Sequence, residues 1–166
     1  PLGTGGCLKV LQDFNNDCYL IIMGDLIFNI NFKKFYSFHK KNKSDFTILA
    51  HPNDHPFDSD LLEINEKNQL LKFHNKPHKR NDIGNLSSSG IFLINKKILK
   101  FIKPNIFQDL SKNILPRLLK KKIKVYAYNT REYVKDVGTP KRINLVKKHI
   151  KMKKFINGNI DKKLPA

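Results

Sequence analysis

Apolar residues at Leu8, Leu11 and Phe14 follow a glycine-rich opening at helical spacing, which predicts a helix over residues 8–14. The next apolar run is continuous: Tyr19-Leu20-Ile21-Ile22-Met23 stops at Gly24-Asp25, as expected of a strand buried on both faces of a parallel sheet. Residues 31–43 return to helical spacing, with Phe32, Phe35, Tyr36 and His39 on one stripe and lysines opposite. A strand over 46–50 precedes Pro52 and Pro56, which keep the following segment from being helical. Residues 61–65 and 70–73, separated by Glu66-Lys67-Asn68-Gln69, pair as a hairpin. A buried strand over 90–94 leads to a short helix over 96–102 that Pro104 ends, then to a helix over 109–121 interrupted by Pro116. Strands over 123–128 and 133–137 and a last helix from Pro140 to about His149 complete the pattern. Buried strands alternating with helices predict one layered α/β domain with a mostly parallel, mixed sheet and an inserted β-hairpin over residues 1–150. Residues 151–166 lose periodicity and read as a basic linker.

Composition narrows the function classes. The 166 residues, 40% hydrophobic, suffice for one domain with a core. No apolar run reaches the roughly 20 residues of a membrane helix, and the start lacks the features of a signal peptide, so a cytoplasmic protein is expected. Cys7 and Cys18 stand apart from any Cys/His cluster, which argues against a zinc site or a disulfide framework. A formal charge of +18 raises nucleic-acid binding as a possibility. The cations are nearly all Lys, however, with only Arg80, Arg117, Arg131 and Arg142 offering the planar fork that base and phosphate recognition favours. The charge is therefore read as solvated surface that attracts polyanions weakly, with no specific nucleic-acid partner.

Three segments could carry chemistry. Pro1-Leu2-Gly3-Thr4-Gly5-Gly6 leads into a helix, so its amides could approach a ligand closely, although a plain loop or cap explains the glycines as well. Asp25 ends a buried strand, where a carboxylate serves either a divalent ion or the N-cap of the next helix. Asp136, in Lys135-Asp136-Val137-Gly138-Thr139-Pro140, again ends a strand ahead of a turn and a helix. Two such carboxylates could clamp one Mg2+ on a polyphosphate.

In this order the segments resemble the nucleotide-sugar pyrophosphorylases, or nucleotidyltransferases. Pro1 to Lys9 is similar to the family's PLGTAGAL element, Gly24-Asp25 to its magnesium-binding Gly-Asp, and Lys135 to Pro140 to its KDVGTP element. Lys76-Pro77 matches the family's Lys-Pro, and Ser89-Gly90-Ile91-Phe92 matches the strand beside the sugar. The resemblance implies a Rossmann-like layered fold, Mg2+ on Asp25 and Asp136, and a sugar phosphate on Lys76. It places the nucleotide base along Gly3, Thr4, Gly5 and Gly6, and the sugar beside Ser88, Ser89 and Gly90. The implied substrates are a nucleoside triphosphate and a sugar 1-phosphate.

The run His51-Pro52-Asn53-Asp54-His55-Pro56-Phe57-Asp58-Ser59-Asp60 resembles the heptose or mannose 1-phosphate guanylyltransferase branch, which includes fusions to a phosphatase domain after a basic linker. Taken alone, two His and three Asp in this run could suggest a metal site, but the prolines favour a structured turn. Asn75 and Ser88 depart from the family's usual Glu and Asn at these places. The family's glycine-rich signature loop, with its Arg and Pro-Lys, has no counterpart in the chain, which implies an N-terminally truncated domain. A binding module without turnover is the alternative expectation.

Overall fold

A computed structural model describes residues 1–53, 56–77 and 83–152. The linker expected from residue 151 therefore lies almost wholly outside the described residues, as do Asp54 and His55. Six strands form the main sheet: β1 (Cys18–Ile22), β3 (Phe46–Pro52), β4 (Leu61–Ile64), β5 (Leu70–His74), β6 (Leu86–Asn95) and β7 (Val125–Asn129). Their order is β5-β4-β6-β3-β7, with β1 also paired to β6. A separate two-stranded ribbon joins β2 (Leu26–Asn29) to β8 (Tyr133–Asp136).

The sheet is mixed. β1, β3, β4 and β7 share one direction, yet β3 with β7 is the one parallel pairing between these strands. The reason is β6, which runs oppositely between β3 on one side and β1 and β4 on the other, turning codirectional strands into antiparallel neighbours. β4 and β5 form the expected hairpin, with Leu61 opposite His74.

Alternation along the strands sends side chains to two cores. Phe46, Ile48, Phe92 and Ile94 point to one face, covered by the 3-10 turns Cys7–Asp13 and Lys96–Phe101 and by the segment Leu110–Lys120. Leu49, Ile91 and Leu93 point to the other, where Phe35 of α2 (Phe32–Lys41) and Val134 of the ribbon meet them. α2 starts where Asn31 caps it, its side chain accepting from Lys34 N at 3.0 Å, and its last turn carries Lys40 and Lys41, the charge that the helix dipole favours there.

Three expectations change. The segment after Gly6 is mostly 3-10 rather than α-helical, and only one short α-helical turn, α1 (Gly3–Gly6), precedes it. Residues 110–114 form a π turn before α3 (Leu115–Lys120), so Pro116 falls in the first turn of a helix, where its missing N–H costs nothing. β1 is not buried on both faces: Leu20 is 42% and Ile22 38% exposed, because β1 is an edge strand and α2 packs over β3 and β7 instead. Among the described residues no helix is long and apolar enough to cross a membrane.

Candidate active site

Asp25 and Asp136 are 111 positions apart in the chain, and the β2–β8 ribbon brings them together. Leu26 pairs with Asp136, and one step beyond, Val137 N donates to Asp25 O at 2.8 Å. Both carboxylates flank Gly138: a Cβ placed there would lie 3.4 Å from Asp25 Oδ2 and 3.8 Å from Asp136 Oδ1. The loop carrying Asp25 is in turn seated on β6. Met23 N donates to Gly90 O at 3.0 Å, and Gly90 has φ +82°. A Cβ on Gly90 would come within 3.1 Å of Met23 Cγ and 3.4 Å of Leu26 Cδ1, so the missing side chain allows this approach.

The two carboxylates open on a cleft of about 330 Å³ that Lys76, Ser88, Ser89, Gly90 and Thr4 also line. Lys76 stands after the hairpin, its backbone N–H donating to Asp60 Oδ1 at 3.0 Å, and it lines the cleft. Ser88 is tied through its amide to Asp60 O at 3.1 Å. The Ser89 hydroxyl donates to Leu49 O at 2.8 Å, so it braces β6 against β3.

The glycine-rich opening behaves differently from the expectation that its backbone would line the cleft. Gly5 and Gly6 are buried, and their amides donate to Gln108 O at 2.7 and 3.0 Å. Gly3, at φ +71°, and Gly6 have no room for a side chain against the 106–108 backbone, a Cβ meeting Gln108 O at 2.7 Å and Ile106 O at 2.6 Å. These glycines dock α1 on the next layer, and of residues 3–6 only Thr4 reaches the cleft. Its hydroxyl donates to Asp109 Oδ2 at 2.9 Å, while Asp109 Oδ1 caps the following turn through Ser111 N and Lys112 N.

Two residues at the cleft were not expected there from the sequence. Arg142, in the first turn of α4 (Pro140–Lys151), donates through Nη1 to Asp136 Oδ1 at 2.7 Å and through Nη2 to Asp58 Oδ2 at 3.3 Å. Asp58 lies in the 3-10 turn Pro56–Asp58, within the run whose His and Asp could suggest a metal site and whose prolines favour a structured turn. Arginine among so many lysines was the available clue to the first, and the acidic, proline-bounded run did not say which of its carboxylates would meet that arginine.

The donor chemistry suits a hard cation. Asp25 and Asp136 are oxygen donors, and neither thiol is nearby: Cys7 is near the start of the 3-10 turn and Cys18 lies 3.8 Å from His39. Among the described residues no group of three or more His, Cys, Asp or Glu is arranged to hold a metal. A hard divalent cation fits two carboxylate donors; magnesium, for one, is commonly bound by one or two carboxylates with phosphates and water completing its octahedron.

A sequence model of the family described as Nucleotidyl transferase matches residues 1–153. The glucose-1-phosphate adenylyltransferase of Clostridium acetobutylicum is 33% identical over 137 residues, covering 78% of this chain and 36% of the relative. That of Mycoplasma mobile is 32% identical over 155 residues, covering 86% and 40%. The chain thus spans little more than a third of the length of these curated relatives. Among solved structures, HddC from Yersinia pseudotuberculosis superposes with a TM-score of 0.75 at 23% identity, covering 90% of this chain and 63% of that one. The same protein complexed with GMP-PN gives a TM-score of 0.72 over the same shares.

Proposed function

This chain belongs to the nucleotidyl transferase family, and from that premise we propose that it provides the metal-holding and sugar-phosphate side of a sugar-1-phosphate nucleotidyltransferase. The observation that supports this most is the meeting of Asp25 and Asp136 beside Gly138, on a cleft that Lys76 also lines. In the reaction a sugar-phosphate oxygen attacks the α-phosphorus of a nucleoside triphosphate. A new P–O bond forms, the α–β P–O bond breaks, and pyrophosphate leaves.

Bringing two polyanions together is the main obstacle, so positioning and charge compensation dominate catalysis. Mg2+ held by Asp25 and Asp136 would supply that compensation at the phosphates. The Lys76 ammonium orients the incoming sugar phosphate, Ser88 and Gly90 border the sugar, and Thr4, its hydroxyl held between Asp109 Oδ2 and the Leu110 amide, forms part of the wall on the nucleotide side. Ser89 acts on the sugar wall by fixing β6 rather than by direct contact.

For the finer identity we favour GTP and a heptose or mannose 1-phosphate, on the residues of the run 51–60 that face the cleft: His51, Asn53, Asp58, Ser59 and Asp60. The relatives named glucose-1-phosphate adenylyltransferase favour a second reading, ATP with glucose 1-phosphate. A partner or fused phosphatase belongs to the first reading only. An assay of the protein expressed from its native open reading frame, with labelled ATP, GTP, dTTP and CTP each against glucose, mannose and heptose 1-phosphates, tests the proposal. Transfer with one base and one sugar class is expected. Binding of a nucleotide sugar without any transfer would instead make the chain a binding module.

A further inference from the structure

Arg142 holds a position that helix energetics do not explain. It lies in the first turn of α4, where the helix dipole disfavours a cation, next to another cation, Lys141, and with no acidic residue in that turn. Pro140 and the Thr139 cap, whose hydroxyl oxygen accepts from Arg142 N at 3.3 Å, fix the backbone there. The side chain turns back into the cleft and divides its fork between two carboxylates on different lips, Asp136 at 2.7 Å and Asp58 at 3.3 Å. Asp25, across Gly138, has no such ion pair among the described residues.

We infer that Arg142 is the resident counter-cation of Asp136, that a divalent ion must displace it from that carboxylate, and that Asp58 keeps hold of the guanidinium when it lets go. The inference rests on the reading of Asp25 and Asp136 as the metal pair. A guanidinium at 2.7 Å and a divalent ion compete for the same oxygen charge, and the doubly charged ion gains more from it once phosphate oxygens complete its shell. Arg142 is 37% exposed and Asp58 61%, so the fork can rotate toward Asp58 without breaking the core. The pairing therefore lowers affinity for the bare ion and ties metal loading to the arrival of phosphates. Lysine could not do this equally, because a single ammonium lacks the planar fork that spans both carboxylates.

Mn2+ titration of the 166-residue chain, followed by electron paramagnetic resonance, tests this with Arg142→Gln, Arg142→Lys, Lys148→Gln and Asp25→Asn. Arg142→Gln should bind Mn2+ more tightly by roughly 2–5-fold, the size of a partly exposed ion pair. Arg142→Lys should fall between it and the parent. Lys148→Gln removes the same charge from the same helix and should stay within about twofold of the parent. Equal tightening by Arg142→Gln and Lys148→Gln, or none by Arg142→Gln, overturns the assignment. Asp25→Asn separates the two readings. If it weakens Mn2+ binding while Arg142→Gln changes nothing, only the role of Arg142 falls; if Asp25→Asn has no effect, or no variant binds, the metal pair falls with it. Thermal melts guard against misfolding, and Arg142→Lys retains the charge should the glutamine variant melt early.

Discussion

His39 is 1% exposed, and its ring nitrogens are both engaged, Nδ1 with Thr47 Oγ1 at 2.7 Å and Nε2 with Asn95 Oδ1 at 2.9 Å. Asn95 Nδ2 donates to Ser44 O at 2.9 Å, which fixes the amide's orientation, so Nε2 carries the proton and Nδ1 accepts from the threonine. Burial pushes the imidazole below its ordinary 6.5. The unfolded chain then binds more protons than the folded one as pH falls below 6.5, and stability declines until the lowered folded value is passed. The melting temperature should therefore fall between pH 7 and pH 5, and His39→Gln should flatten that slope; equal slopes would contradict it. The helical stripe already placed His39 on the buried side, whereas its partners on β3 and β6 are distant in sequence and had no local signal. The same division holds at the cleft: strand ends marked Asp25 and Asp136, but the fork of Arg142 depends on a turn that only the folded chain brings near.

The β2–β8 ribbon shows what element patterning misses. Its second strand was legible from residues 133–137, but β2 has four residues, no full alternation of burial, and a partner more than 100 positions away. β1 misled for the opposite reason, since a continuous apolar run cannot distinguish a central strand from an edge that exposes Leu20 and Ile22. Gly90 couples these elements. Gly90→Ala forces a side chain into φ +82° and against Met23, which should cost about 1–3 kcal/mol in denaturant unfolding and weaken Mn2+ binding by shifting the Asp25 loop. Gly24→Ala is the matched control: nothing lies within 4 Å of its added Cβ, and stability should stay within about 0.5 kcal/mol. Similar losses at both glycines would mean that the seat on β6 does not position the loop. Gly6→Ala should destabilise as well, by about 1–3 kcal/mol for overpacking, because its Cβ would meet Ile106 O at 2.6 Å.

Charge separates the cleft from the rest of the protein. The chain carries +18, yet Asp25, Asp58, Asp60, Asp109 and Asp136 line the cleft against Lys76, Lys135 and Arg142. Under the proposed function, a cationic exterior would draw in nucleotide and sugar phosphate, and the acidic lining of the cleft would call for a cation to accompany them. The same exterior should hold DNA only through counterion release, so filter-binding affinity should drop by at least about tenfold between 50 and 200 mM salt. Tight binding that survives the higher salt would instead point to a dedicated nucleic-acid surface.

The most direct test is transfer of α-labelled nucleotide to a sugar 1-phosphate by the protein expressed from its native open reading frame, with Asp25→Asn, Asp136→Asn and the double variant. If the two carboxylates form one site, each single change should lower turnover by about 100-fold or more, with the double variant little worse than either. Near-parental turnover in either single variant, with the fold intact, would contradict the account.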